Sequence, residues 1–509
     1  MNKLFKFILC GVIVSSFCLT AAVGCQRQDQ GEDTDTDPVS DVTESITEET
    51  EETLNDVDTL AEYDFDGAKY NVLSRASSVY EWSSNSELGN STINNAVFIR
   101  NELVKERFNV DIVIDEVGGW WNNDPQKCPW YVKYHNNVQS GWSAYSMVTG
   151  HFSMAQVAAV SGFCIDMTAL ETIDMQKEWW SKPFYDMCNL NGKFYVAVGD
   201  IGYSMYESMY VMYFNETLAG EVLKDPTGAS IDLYELVRDN EWTWEKLNQY
   251  ILQINDVGMA EADKRYGFMG TANGLRAFAT SFEVEYAESD ENNGYLVYRF
   301  PQNALERTSR ILDGVGSFFT TTAANSVKNF VDESTGNSIF SSGRALFYAQ
   351  MLGQLPSIAE GMGENQKYGI LPYPMYDDNQ LEYHTDCYNG ASGITVPKNV
   401  QDLEMAGVIT EALCMYSYQE IRPVYLDTVL DGRYMTDDNI SEMVDLIRES
   451  FVISFFNAYG GAIGTPHVSS ATDAMFSDSS QKYSSYYAGY LSKYQSNLEN
   501  FYKSYGIIN

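Results

Sequence analysis

Histidine is scarce: four occur among 509 residues, His135, His151, His384 and His467. None stands at H-x-x-x-H spacing, and no H-E-x-x-H, G-x-S-x-G, P-loop or dinucleotide fingerprint occurs. The metalloprotease, α/β-hydrolase and nucleotide-binding classes therefore lose their usual support. Carboxylate pairs for glycoside hydrolysis are recognised by geometry rather than spacing, so that class stays open. Basic residues are few as well: 32 Lys and Arg face 71 Asp and Glu, a net charge of −39. A phosphate backbone needs a basic face, so nucleic acid is not expected as a partner. The eight cysteines include no C-x-x-C. Cys10 and Cys18 lie in the first segment, and Cys128, Cys164, Cys188, Cys387 and Cys414 in the body. Five scattered thiols support neither a disulfide framework nor a zinc site, and no metal or cofactor is expected.

Lys3 and Lys6 precede an apolar run, Phe7 to Leu19, too short for a transmembrane helix of roughly 20 residues. Small residues follow. This is the pattern of a secretory signal peptide over residues 1–24. Ala22-Val23-Gly24-Cys25 resembles a bacterial lipobox, with Ala22 where Leu is commoner. The resemblance implies cleavage before Cys25 and lipidation of its thiol. Residues 25–62 are dominated by Asp, Glu, Thr and Ser, which cannot bury enough apolar surface to offset ordering entropy. They read as an extended acidic tether. Asp33, Asp35, Asp37 and Glu44 mimic a calcium loop, but Pro38 stands where that loop needs Gly.

About 450 residues remain, enough for two or three domains. Tyr70–Leu73 predicts a strand, residues 92–108 a helix and Val110–Ile114 a second strand, hence an α/β lobe with a parallel pair. Residues 118–142, rich in Trp, Asn and Gly, read as a long loop. Strands are expected at 145–148, 193–198, 210–214, 266–269, 344–351, 368–372 and 391–397. Thr243 is the expected N-cap of a helix over 244–254, and Asn293-Gly294 the turn of a hairpin over 286–300. Helices are expected at 308–319, 402–418, 439–450 and 483–502.

Tyr213-Phe214-Asn215-Glu216-Thr217-Leu218, Trp242-Thr243-Trp244-Glu245, Gly343-Arg344-Ala345, Tyr368-Gly369-Ile370 with Pro372 and Pro374, and Val396-Pro397-Lys398 occur in that order. Together they resemble segments of the bacterial extracellular solute-binding proteins of carbohydrate ABC transporters, across roughly residues 66–460. The resemblance implies a two-lobed, periplasmic-binding-protein-like α/β fold with a hinge of two or three crossing strands. Lobe 1 would comprise 63–204 and 388–430, and lobe 2 205–387 and 431–509. Crossings are expected near Asp200–Glu207 and Thr385–Gly393. Trp242 and Trp244 read as packing residues.

The resemblance also implies capture of a carbohydrate, an oligosaccharide by expectation, in an interlobe cleft. Delivery would be to an ABC permease, by a monomer lipid-anchored at the extracellular face of the cell membrane. Loops after strands supply the candidate contacts: Arg75 and Ser77; His151 and Phe152; Tyr203 and Glu207 at the first crossing; Asn273; and Gln350. Phe456, Asn457 and Tyr459 lie where this family often places a late aromatic contact. Trp120, Trp121 and Trp130 read equally as stacking platforms or as caps of a lobe edge. Scarce positive charge disfavours an anionic solute, whereas peptides and polyamines stay open. A surface glycoside hydrolase and a non-transport adhesin are the alternatives from other classes.

Overall fold

The computed structural model describes residues 60–84, 91–292, 294–426, 434 and 437–508. The signal-peptide, Cys25 and calcium-loop readings, and nearly all of the tether, lie outside them. Residues Leu60–Asn509 form one unit built on two sheets.

The first sheet contains β1 (Ala68–Arg75), β2 (Val110–Val117), β3 (Met147–His151) and, from far along the chain, β11 (Ser392–Thr395). Its order is β11-β3-β1-β2. β1 runs parallel to β2 and β3, while β11 pairs antiparallel with β3. Helix Ser91–Phe108 buries Ile93, Ala96, Val97, Val104 and Phe108, an apolar stripe at helical spacing. It packs on helix Leu403–Glu420. Asp402 caps that second helix by accepting the Met405 N–H at 2.9 Å.

The second sheet contains β4 (Tyr210–Asn215), β5 (Tyr266–Gly270), β8 (Val327–Asn329), β9 (Ala345–Met351) and β10 (Tyr368–Leu371), ordered β10-β4-β9-β5-β8. β6 (Glu288–Asn292) and β7 (Tyr295–Arg299) make the expected separate hairpin. The indole of Trp244 is buried among Phe278, Phe282, Phe318 and Phe319, with centroids 5.3–5.7 Å apart.

Among the described residues, three segments pass between the sheets. In the first, Ala197 bridges Ile394 and Met209 bridges Cys387. The second runs beside it: Tyr388 N–H donates to Ser208 O and Tyr210 N–H to Asp386 O. The third bridges Phe451 to Thr385 and leads into helix Phe455–Ile463, which packs on helix Phe152–Val160. Glu81, fully buried, accepts the Ser204 N–H at 2.9 Å and the Ser392 hydroxyl. One carboxylate thereby fastens the first two segments together.

Several elements depart from expectation. Residues 118–142 are not one loop: Pro129–Gln139 is a helix with Pro129 in its first turn. Trp130, Tyr131, Tyr134 and Val138 form its buried face. The strand expected at 145–148 starts two residues later, because the Ser143 hydroxyl captures both N–H and C=O of Tyr145. The segment 193–198 makes only isolated bridges. Thr243 occupies the N-cap position without a side-chain cap, and Met375 O accepts the Trp244 N–H at 2.7 Å.

Gly150 is fixed by packing. A Cβ there would stand 2.5 Å from the Trp130 ring, which is buried and pinned by Nε1–H donation to Thr149 O at 2.8 Å. Gly150→Ala should therefore destabilise the protein by about 1–3 kcal/mol, the usual range for overpacking. Urea unfolding checks this, and an unchanged midpoint would contradict it.

Candidate functional site

A cavity of about 470 Å³ lies where the crossing segments meet. The first-sheet side contributes Trp121, His151 and Ser153, and the second-sheet side Tyr210, Asn273, Arg276, Thr280 and Tyr286. Asp386 and Tyr388 come from the second crossing, and Phe456, Asn457, Gly461 and His467 from the third crossing onward. Ring faces and hydroxyl or amide groups thus surround one space, the composition that suits a small polar ligand with apolar faces.

β3 ends at His151, and helix Phe152–Val160 starts immediately after it. That sharp strand-to-helix junction sets His151 and Ser153 on the cavity wall. Burial, with the Arg75 charge behind it, pushes the imidazole down to about 3, so it is uncharged at neutral pH. Its Nε2 lies 3.5 Å from the Tyr388 hydroxyl, and its Nδ1 has no partner. Trp121 sits between two imidazoles, 6.2 Å from His151 and 5.6 Å from His467 by ring centroid. Gly461 makes this possible: a Cβ there would stand 2.6 Å from the Trp121 ring.

The opposite wall is internally satisfied. Arg276 donates from Nε to Asp473 at 2.8 Å, from Nη2 to the same carboxylate, and from Nη1 to Asn273 at 2.9 Å. Its charge is compensated by a bidentate partner. Asp386 accepts from Thr280 at 2.8 Å, Asn457 at 2.6 Å and its neighbour's Cys387 N–H at 2.9 Å. Burial still outweighs these bonds and pushes its carboxyl up to about 6. His467 Nδ1 lies 2.9 Å from Gly460 O, so Nδ1 carries the proton in that bond.

Of the residues expected from sequence, Trp121, His151, Asn273, Phe456 and Asn457 line this cavity. Arg75 lies just behind it, donating to Ser78 at 2.6 Å and to Gly390 O at 2.5 Å, with its guanidinium 5.9 Å from the Trp120 ring. Trp120 is 61% exposed. Ser77 belongs to the short helical turn after β1, and its hydroxyl is buried. Tyr203 packs against Tyr80 and Tyr425. Glu207 accepts from the Tyr80 hydroxyl at 3.0 Å, and burial pushes it up to about 7. Phe152, Gln350 and Tyr459 are interior: Phe152 packs on Phe184, Gln350 bonds Tyr348, and the Tyr459 hydroxyl donates to Cys188 O. Trp130 is likewise core.

Sequence reasoning did not single out Tyr210, Arg276, Thr280, Tyr286 or His467. Asp386 and Tyr388 did fall inside the expected second crossing. Among the described residues no cluster of metal-ligating side chains occurs, and no helix is long and apolar enough to cross a membrane.

No family model matches the chain, and no curated protein matches it in sequence. Solved structures do match in fold. A cyclo/maltodextrin-binding protein complexed with maltotetraose superposes with a TM-score of 0.52 at 13% identity, covering 88% of this chain and 97% of that one. An extracellular solute-binding protein from Staphylococcus aureus in complex with maltose gives 0.53 at 10% identity, covering 86% and 98%. UgpB from Mycobacterium tuberculosis in complex with glycerophosphocholine gives 0.54 at 12% identity, covering 85% and 98%. The three share an architecture with this chain rather than a sequence. Two sheets, the late return of β11 to the first of them and the crossings between them give the chain the two-lobed, periplasmic-binding-protein-like α/β fold of these solute-binding proteins.

Proposed function

We propose that this chain is an extracellular solute-binding protein that captures a carbohydrate in the cavity between its lobes and passes it to an ABC importer. The observation that carries the reading is the cavity itself. It is set at the crossings, walled by Trp121, Tyr210, Tyr286, Tyr388 and Phe456, and its one arginine is already paired. Aromatic faces stack on the C–H surfaces of sugar rings, and hydroxyl and amide groups bind their edges. A compensated Arg276 leaves little attraction for an anion. Two of the structural relatives hold maltotetraose and maltose, which favours the same ligand class here. Lobe 1 would be built on the first sheet and lobe 2 on the second, closing by bending at the crossings. Cys25 would carry the lipid, and the acidic stretch after it would hold the binding unit away from the membrane. No chemistry on the solute is part of this role.

The test is a thermal-shift screen of the chain from Leu60 onward against maltose, maltotetraose and cellobiose, with spermidine and glycerophosphocholine as controls. A sugar at 100 times its dissociation constant should stabilise by about 2.7 kcal/mol and be recovered unaltered. Recovery of cleaved sugar would instead mark a hydrolase. A shift with glycerophosphocholine alone would keep the fold and replace the solute.

A further inference from the structure

The polar groups of the cavity are unequally occupied. On the second-sheet side and at the crossings they bond to one another: Arg276 to Asp473 and Asn273, Asp386 to Thr280 and Asn457. On the first-sheet side, two buried polar atoms have no partner, His151 Nδ1 and Ser153 Oγ. They are the cavity-lining members of the unpartnered buried atoms among the described residues. His151 is 2% exposed and Ser153 1%. Leaving such groups unbonded is costly, because their hydration is lost with nothing in return.

Trp121 stands on the same side of the cavity. Its indole lies against His151 and His467 and presses on Gly461, whose missing side chain gives it room. The same residue is partly buried and comes from a segment outside regular secondary structure after β2. Neighbouring Trp120 is held near Arg75 instead.

We infer that Trp121 is a shutter over a hydroxyl-reading subsite formed by His151 Nδ1 and Ser153 Oγ. This rests on the carbohydrate reading above. A sugar ring enters as the indole turns aside, two of its hydroxyls bond the imidazole and the serine, and the indole then lies on the ring face. An uncharged imidazole suits the task. It offers one donor and one acceptor nitrogen, and with Nε2 beside the Tyr388 hydroxyl it leaves Nδ1 for the solute. A charged imidazole would accept nothing. Burial keeps His151 uncharged across the neutral range.

The experiment titrates the full-length protein with maltose, maltotetraose and cellobiose, following tryptophan fluorescence and affinity by calorimetry. Trp121→Phe, Ser153→Ala and His151→Gln are compared with the parent. A bound sugar should change the fluorescence in the parent and not in Trp121→Phe. Ser153→Ala should weaken binding about tenfold, the effect of losing one hydrogen bond to a buried group. His151→Gln should weaken it at least as much, and Ser153→Ala decides the matter if His151→Gln does not fold. A sugar that binds without a Trp121-dependent signal, or with affinity unchanged within twofold in Ser153→Ala, overturns the subsite and leaves the carbohydrate reading standing. Silence with all three sugars overturns the carbohydrate reading and this subsite with it.

Discussion

The protein is expected to melt several degrees higher at pH 5.5 than at pH 8. Four interior carboxyls carry this effect. Burial pushes Asp200 and Asp386 up to about 6, and Glu207 and Glu411 up to about 7. Each has hydrogen bonds that favour the ionised form, such as the two indole N–H groups of Trp179 and Trp180 on Glu411 at 2.9 Å. Desolvation outweighs them. In the unfolded chain these groups titrate near 4. Between pH 4 and 7 the folded state therefore binds more protons than the unfolded state. Stability is highest at the acid end of that window and falls as pH rises through the folded values, then levels off above them. A shift of two units corresponds to roughly 3 kcal/mol per group at most. The net charge of −39 relaxes in the same direction.

Asp386→Asn isolates one contributor. The amide oxygen can keep the bonds from Asn457 and Cys387, and the amide nitrogen can donate to the Thr280 hydroxyl. The variant should melt higher than the parent at pH 8 and show a smaller pH difference. Scanning calorimetry at several pH values checks both. A parent protein that melts higher at pH 8 than at pH 5.5 would mean these acids are ionised at little cost.

Trp244→Ala should cost about 3–5 kcal/mol, the range for deleting a large buried aromatic. Four phenylalanine rings meet the indole edge-on at 5.3–5.7 Å. They belong to helix Ala272–Ser281, its end at Phe282, and the turn Phe318–Thr322. No single shift of one element can close a hole lined from several. Denaturant unfolding measures the loss, and a change below 1 kcal/mol would show that the ring cluster collapses into the space. Trp244→Phe should recover much of the stability, because it keeps an edge-to-face partner.

The place of Trp244 is legible in the sequence. Its place one residue after an N-cap position marks it as the first turn of an amphipathic helix, and it is core. Strong periodic signals of this kind located the parallel pair β1 and β2, the hairpin, and helices Leu403–Glu420 and Asp438–Glu449. The helix Pro129–Gln139 is obscured by the Trp, Asn and Gly around it, a composition typical of loops. Trp130, Tyr134 and Val138 stand at helical intervals, and Pro129 is a start signal. For Trp120 and Trp121 local sequence holds no discriminating information. One is exposed and the other lines the cavity, and the difference lies in what the rest of the chain brings against them.

The sequence by itself determined the alternation of strands and helices, the acidic and arginine-poor character of the chain, and the order of segments that belong to a two-lobed fold. The first two follow from periodicity and composition, which act within a window of a few turns, and the third from the resemblance of those segments to solute-binding proteins. Tertiary structure alone decided the site. Arg276 is paired because Asp473, nearly two hundred residues later, is folded against it. His151 is uncharged because burial and Arg75 act on it together, and the glycine that gives Trp121 room beside it comes from the third crossing. Partner choice, burial and charge state depend on contacts between residues far apart in the chain, and no local pattern encodes which of many acids and rings will meet.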